Sequence, residues 1–123
     1  MVRQWRAPMQ RETLEIPAGK IDLGETDLAK VALRELNEET GLTTANLQQI
    51  AEFFTSPGFS NEKMTLFYTT ALTPVANKRP LDDDEFLNVE RLTLAQAQAA
   101  VKSGLICDAK TIMALYYWQL QSK

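Results

Sequence analysis

The sequence of 123 residues contains no histidine, a single cysteine and no long apolar run. The absence of histidine excludes Ser-His-Asp triads, His-ligated zinc and a histidine general base, so acid–base chemistry must fall to carboxylates, lysine, tyrosine or metal-bound water. One cysteine, Cys107, excludes an internal disulfide and fits a reducing compartment. A membrane helix needs about 20 apolar residues, and the first six residues lack the apolar core of a secretion signal. We therefore expect a cytoplasmic protein with no membrane partner.

The charge balance is mildly acidic, with 13 basic and 16 acidic residues and a net charge of −3. This balance argues against electrostatically driven binding to nucleic acid. An anionic substrate would need local arginine, lysine or metal to bind. The length and the 45% hydrophobic content predict one domain that spans residues 1–123.

Hydrophobic patterning predicts an α+β domain with three helices. The predicted strands cover residues 12–16, 47–55, 63–72 and 86–89. The predicted helices begin after Thr26 or Asp27, after Thr93 and after Asp108, and the first two end near Gly41 and Gly104.

The first predicted helix carries carboxylates on a face that would normally be apolar. At 100° per residue, Glu35 and Glu39 lie one above the other with Val31 on the same side, and Glu38 lies on the flank. Like charges at these spacings cost roughly 0.2–0.5 kcal/mol per pair even when exposed. Mg²⁺ would remove this cost, because it binds carboxylate oxygens and keeps its other positions for water and phosphate. The pattern indicates either a magnesium site or a solvated acidic face on which Arg34 pairs with Glu38.

The stretch 19–42 contains a set of glycines, acidic residues, aliphatic residues and one arginine at fixed spacings: Gly19, Glu25, Arg34, Glu35, Leu36, Glu38, Glu39, Gly41 and Leu42. This pattern resembles the Nudix box. The sequence departs from the motif once, because eight residues, 26–33, separate Glu25 from Arg34 where the motif has seven. We expect the additional residue in the loop before the helix, around Thr26 and Asp27, since an insertion inside the helix would rotate Leu28 by 100° relative to Glu35. Gly19, Glu25, Arg34 and Gly41 are the structural residues of the motif.

The resemblance implies the Nudix fold, which is α+β, with a mixed β-sheet flanked by helices in an α/β/α sandwich. Further segments look like the ADP-ribose pyrophosphatase branch of this superfamily: residues 2–6, 11–20, 56–58 and 108–115. That branch hydrolyses the diphosphate bond of ADP-ribose to give AMP and ribose 5-phosphate. The implied partners are thus a small-molecule nucleoside diphosphate and Mg²⁺, with Mn²⁺ as a substitute.

The resemblance also implies roles for single residues around the metal. Glu35 and Glu39 would bind Mg²⁺ together with the Ala18 carbonyl, and Glu38 would bind a metal or orient a metal-bound water. Arg34 would neutralise the acidic helix face and fix the carboxylate rotamers.

The substrate contacts and the general base are implied at more scattered positions. The implied substrate-binding residues are Arg6, Arg11, Pro57 and Glu62. Arg6 matches a position that contacts the substrate phosphates, and the alternative is a surface arginine. Asp84 or Glu85, in the acidic run 82–85, would act as general base or added metal ligand on a mobile loop. The alternative for that run is a solvated turn.

Members of this branch carry a further N-terminal segment that forms a small sheet exchanged across a dimer. We therefore expect a minimal or truncated member of the branch, and a homodimer, because exposed sheet edges need cover. Two alternatives to the ADP-ribose reaction stay open. One is a Nudix hydrolase for another nucleotide, such as a sugar nucleotide, a dinucleotide or a nucleoside triphosphate. The other is a non-catalytic nucleotide-binding Nudix module.

Overall fold

The computed structural model of the protein describes residues 1–75 and 88–123. These residues form two compact units, one of residues 1–16 and 88–123 and the other of residues 17–75. The strands are β1 (Val2–Arg6), β2 (Arg11–Glu15), β3 (Leu42–Thr43), β4 (Gln48–Phe54), β5 (Lys63–Tyr68), β6 (Thr73–Pro74) and β7 (Asn88–Val89), and the helices are α1 (Leu28–Thr40), α2 (Leu94–Ser103) and α3 (Ala109–Gln121). The α+β content expected from the sequence is confirmed.

The sheet of the first unit has β1 at its centre, with β2 and β7 paired to it in antiparallel fashion. A 3₁₀ turn at Ala7–Met9 joins β1 to β2, so that Arg6 lies opposite Arg11. Gln10 closes this turn in the left-handed conformation, with φ at 54°. Few residues other than glycine adopt that conformation, and the Gln10 side chain donates a 2.7 Å hydrogen bond to the Ala7 carbonyl.

The two helices of the first unit begin and end at local capping residues. Thr93 and Gln96 form a reciprocal capping box at the start of α2, and Gly104 ends that helix with φ at 84°. Asp108 caps α3 by accepting a hydrogen bond from the Thr111 backbone N–H. These caps satisfy backbone groups that a helix end leaves without intrahelical partners. Both predicted ends of α2 and the predicted start of α3 are confirmed.

The apolar core of the first unit lies between β2 and the two helices. Its buried residues are Leu14, Ala97, Ala100, Ile106 and Leu115. The Leu14 N–H also donates to the Leu105 carbonyl at 3.1 Å. Thr13 and Glu15 on the opposite face of β2 are buried as well, so the end of this strand is covered on both faces. Simple alternation along the strand does not predict this double burial.

The second unit is built around α1. The Asp27 side chain accepts from the N–H groups of Ala29 and Lys30, and Gly41 ends the helix with φ at 72°. The Gly41 N–H donates to the Asn37 carbonyl at 2.9 Å, as is typical of a left-handed C-terminal cap. Both predicted ends of the first helix are confirmed, and Asp27 is the residue that caps it.

Two antiparallel pairs complete the second unit, β4 with β5 and β3 with β6. The strand predicted over 63–72 ends at Tyr68, because the Thr69 hydroxyl accepts a hydrogen bond from the Ala71 N–H and turns the chain. The strand predicted over 86–89 is described only as β7, since residues 86 and 87 lie outside the described part. Across residues 1–75 and 88–123, every helix is too short or too polar to span a membrane.

Candidate active site

Helix α1 buries two carboxylates in its inward stripe. The buried residues of the helix are Val31, Glu35 and Glu39, spaced by four, and the two glutamates are 8% and 5% exposed. Glu38 is half-buried on the flank. The prediction that carboxylates occupy positions normally given to apolar side chains is confirmed. Burial of ionised carboxylates is costly unless partners compensate them, so their contacts define what the site can do.

The backbone at residues 18 and 19 lies directly against both buried carboxylates. The Ala18 N–H donates to Glu39 Oε2 at 3.2 Å. At Gly19, a Cβ atom would overlap the carboxylate group of Glu35. Only glycine allows the chain to approach this closely. The structure thus brings Ala18, Gly19, Glu35 and Glu39 together.

Arg34 lies among four acidic side chains of this unit. Its guanidinium is within 3.3 Å of carboxylate oxygens of Asp22, Glu25, Glu35 and Glu38. The contact with Glu25 is bidentate, at 3.0 and 2.8 Å, and hydrogen bonding to Glu25 raises the pKa of Arg34. The Arg34 side chain is only 15% exposed. A buried guanidinium of this kind orders the carboxylates around it.

Glu25 also closes the loop that precedes α1. Its side chain accepts from the Asp22 N–H at 2.6 Å, and its own N–H donates to the Asp22 carbonyl at 3.1 Å. The Lys20 carbonyl accepts from Arg34 at 3.2 Å. The helix then begins at Leu28. The residue that the motif does not have therefore lies before the helix, and Glu25 still reaches Arg34.

Pro57 and Glu62 lie on the exposed turn between β4 and β5. The turn is closed by the Thr55 N–H, which donates to the Glu62 carbonyl at 3.1 Å. The Glu62 carboxylate accepts from the Thr55 hydroxyl at 2.8 Å. The structure brings these two residues onto one turn and leaves both side chains at the surface. Asp84 and Glu85 lie outside the described residues.

The first unit contains a polar cluster that the sequence analysis did not single out. Glu15 accepts two hydrogen bonds from Arg6, both at 2.8 Å, one from Lys110 at 2.6 Å and one from Thr13 at 2.5 Å. Burial alone would raise the pKa of Glu15, but the bonds from Arg6, Lys110 and Thr13 lower it to about 2. Arg11, the other predicted substrate contact in this unit, is exposed and donates to the Gly104 carbonyl at 2.7 Å.

The acidic face of α1 has the donor chemistry that Mg²⁺ requires. Among residues 1–75 and 88–123, no group of three or more His, Cys, Asp or Glu side chains is arranged around a common metal position. Glu35 and Glu38 direct oxygens toward Arg34 instead. Protein sites for Mg²⁺ commonly use only one or two carboxylates, with water and substrate phosphate in the remaining positions. Glu35 and Glu39 beside the Ala18 backbone fit that requirement.

Comparison with known proteins identifies the family. The sequence pattern of the Nudix domain matches residues 1–114. The chain belongs to the Nudix family. The match covers the acidic helix, its loop and most of the first unit, so the family predicted from the box is confirmed.

The chain is also similar in sequence to individual proteins. The chain is 46% identical to an ADP-ribose pyrophosphatase of Bacillus subtilis and 43% identical to a methanol dehydrogenase activator of Bacillus methanolicus, each over 98% of the chain and 65% of the relative. An ADP-ribose pyrophosphatase of Mycobacterium tuberculosis is 30% identical over 91% of the chain and 54% of the relative. The chain therefore spans less than two thirds of the length of these relatives.

One solved structure shares the fold of this chain. The crystal structure of an ADP compounds hydrolase superposes with a TM-score of 0.83 at 24% identity, covering 98% of this chain and 63% of that one. The predicted α+β class and the Nudix fold are confirmed, whereas the predicted mixed sheet is not seen in the described residues, where every strand pairing is antiparallel.

Proposed function

We propose that this chain is a divalent-metal-dependent hydrolase of the diphosphate bond in a nucleoside diphosphate joined to another moiety. The substrate we propose is ADP-ribose, which reacts with one water to give AMP and ribose 5-phosphate. The Nudix family membership and the names of two relatives as ADP-ribose pyrophosphatases support this choice.

One observation carries the proposal: two carboxylates of the same helix are buried one turn apart against the backbone of residues 18 and 19. A protein that needed only a stable helix would bury apolar side chains at these positions. Arg34 contributes one positive charge, whereas four carboxylates, two on α1 and two in the loop before it, lie within 3.3 Å of its guanidinium. A divalent cation would offset the repulsion that remains among these groups.

The proposed roles are those that the resemblance to the Nudix box implies, and the charge and burial of the glutamates support them. Glu35, Glu39 and the Ala18 carbonyl bind Mg²⁺ or Mn²⁺, and Glu38 binds a metal ion or orients the attacking water. When bound, the cation neutralises the diphosphate and favours attack by water. Arg34 keeps the carboxylates ordered.

The proposed substrate contacts are residues other than the proposed metal ligands. Arg6 and Arg11 are the proposed contacts in the first unit, and Pro57 and Glu62 are the proposed contacts in the second. We further propose that both units form one Nudix domain, because the family match runs across residues from each of them. Asp84 and Glu85 stay candidates for the general base.

A substrate panel tests the proposal. Purified protein is incubated with Mg²⁺ and, separately, with ADP-ribose, a diphosphate-bridged dinucleotide, a uridine diphosphate sugar and a nucleoside triphosphate, and the products are resolved by ion-exchange chromatography. AMP and ribose 5-phosphate should appear in equal amounts from ADP-ribose, and a chelator should abolish them.

The same panel separates the alternatives. Faster turnover of another compound would replace ADP-ribose as the substrate and keep the hydrolase. If no compound yields product although calorimetry detects nucleotide binding, the chain is a binding module and the proposed function is wrong.

A further inference from the structure

The Arg6 guanidinium is fixed at two of its nitrogens by a single carboxylate. Nε and Nη2 each donate to a Glu15 oxygen at 2.8 Å. Paired hydrogen bonds of this kind fix the plane of a guanidinium as well as its position. The Arg6 side chain is 44% exposed whereas that of Glu15 is 3% exposed. The arginine thus extends toward solvent from a buried anchor.

The anchor is held by contacts that do not involve Arg6. Lys110 Nζ donates to Glu15 Oε1 at 2.6 Å, and the Thr13 hydroxyl donates to Oε2 at 2.5 Å. Lys110 is fixed in turn by Asp108, the capping residue of α3, at 2.9 Å. Glu15 therefore keeps two hydrogen-bond donors, one of them charged, whether or not Arg6 moves.

A second arginine of β1 provides a comparison. Arg3 also makes two hydrogen bonds to one carboxylate, that of Glu90. The Glu90 side chain, however, is 34% exposed, whereas that of Glu15 is nearly covered. Ion pairs between partly exposed groups contribute little to stability. The burial of Glu15 and its extra donors go beyond what a surface ion pair requires.

We infer that Glu15 is a positioning residue, which orients the Arg6 guanidinium to receive the diphosphate of the substrate. The inference rests on the proposed function, in which Arg6 contacts the substrate phosphates. A guanidinium whose plane is fixed in advance loses less conformational freedom when it binds an anion. The effect of Glu15 should therefore appear in substrate affinity and should depend on the presence of Arg6.

The test combines kinetics with direct binding. Wild type, Glu15→Gln, Arg6→Ala and the double variant are compared for KM and kcat of ADP-ribose hydrolysis with Mg²⁺. Isothermal titration calorimetry then gives the Kd of ADP-ribose in the presence of a chelator. Glu15→Gln should raise KM and Kd about tenfold, while kcat changes less than about twofold. In the Arg6→Ala background, Glu15→Gln should add no further increase.

Two further variants control for folding and for ion pairs in general. Glu90→Gln weakens the other paired arginine of the same strand, and it should leave KM and Kd unchanged. Arg6→Lys keeps Glu15 and the positive charge but loses the planar fork, and it should raise Kd about as much as Glu15→Gln. If Glu15→Gln does not fold, as judged by circular dichroism, Thr13→Val takes its place, because it removes a hydrogen bond that holds the Glu15 carboxylate and nearly keeps the side-chain volume. An unchanged Kd in that variant overturns the positioning role.

The outcomes distinguish the positioning role of Glu15 from the proposed hydrolase function. Unchanged Kd in Glu15→Gln overturns the positioning role, and so does a further loss in the Arg6→Ala background. Wild type that binds ADP-ribose without hydrolysing it overturns the proposed function, while the Kd series still decides the role of Glu15. Wild type that neither binds nor hydrolyses ADP-ribose overturns both.

Discussion

Replacing Gly19 by alanine tests the packing at the centre of the candidate site. The new Cβ would overlap the carboxylate carbon and both carboxylate oxygens of Glu35. A small shift cannot relieve an overlap with the whole group, so the side chain must leave its position. The Glu35 oxygen that lies 2.9 Å from Arg34 would move with it.

The cost can be worked out from the contact that is lost. A hydrogen bond to a charged, buried group contributes about 1.5–3 kcal/mol. A Gly→Ala change without strain stabilises a protein by about 0.4–1 kcal/mol, because alanine restricts the unfolded chain. Gly19→Ala should therefore lower the free energy of unfolding by about 1–2 kcal/mol. It should also reduce kcat strongly, because Glu35 is a proposed metal ligand.

Urea denaturation in the presence of a chelator measures the free energy of unfolding without any contribution from bound metal. Gly58→Ala is the matched control, since a Cβ there meets no atom within 4 Å, and it should be neutral or slightly stabilising. Glu35→Asp shortens the displaced side chain by one methylene, so the double variant should recover part of the loss. Equal stability of Gly19→Ala and Gly58→Ala would refute the reasoning, and so would a strictly additive double variant.

Three further predictions concern charged residues. Glu39→Gln should reduce kcat by orders of magnitude but keep the fold, since the glutamine oxygen can still accept a hydrogen bond from the Ala18 N–H. Circular dichroism checks the fold and turnover with Mg²⁺ checks kcat. Unchanged turnover would contradict the metal role. Arg34→Lys should lower the free energy of unfolding by about 1–3 kcal/mol, because lysine cannot reproduce the bidentate contact with Glu25. A melting temperature equal to that of wild type would contradict this prediction. The pKa of Glu15 is about 2 in the folded state against an ordinary value of 4.5, so its contribution of about 3 kcal/mol is complete above pH 4.5 and is lost as the pH falls toward 2. Denaturation curves recorded between pH 7 and 2.5 should show a smaller loss in Glu15→Gln than in wild type, and parallel losses would disprove the assignment.

Local features of the sequence predicted the frame of the candidate site. Asp27 and Gly41 mark the two ends of α1. Both ends were predictable because a capping side chain or a left-handed glycine pairs with backbone groups within one turn of the chain. The inward position of Glu35 and Glu39 follows from helical periodicity alone. These properties depend on neighbouring residues, so they can be derived before any tertiary contact is known.

The environment of Glu15 could not be derived in the same way. Its partner Lys110 lies 95 residues further along the chain, and periodicity says nothing about contacts over such a distance. Burial of Thr13, Leu14 and Glu15 in succession also breaks the alternation typical of a strand with one solvated face. The sequence contains one indication of this cluster: Thr13 and Glu15 are two residues apart, which places both side chains on the same face of β2.

The additional residue between Glu25 and Arg34 illustrates which distances a motif must preserve. Glu25 contacts Arg34 through both carboxylate oxygens, and its loop is closed on Asp22 before the helix starts. Thr26 and Asp27 connect Glu25 to the helix and lie before its first residue. A change in the length of this connection therefore alters neither the contact between Glu25 and Arg34 nor the spacing of side chains from Leu28 to Glu39. An insertion between Leu28 and Glu35 would instead turn Glu35 and Glu39 by 100° relative to Leu28 and move both carboxylates off its face of the helix. What the motif must preserve is therefore the position of Glu25 relative to Arg34 on the helix. Loops of more than one length can hold Glu25 in that position.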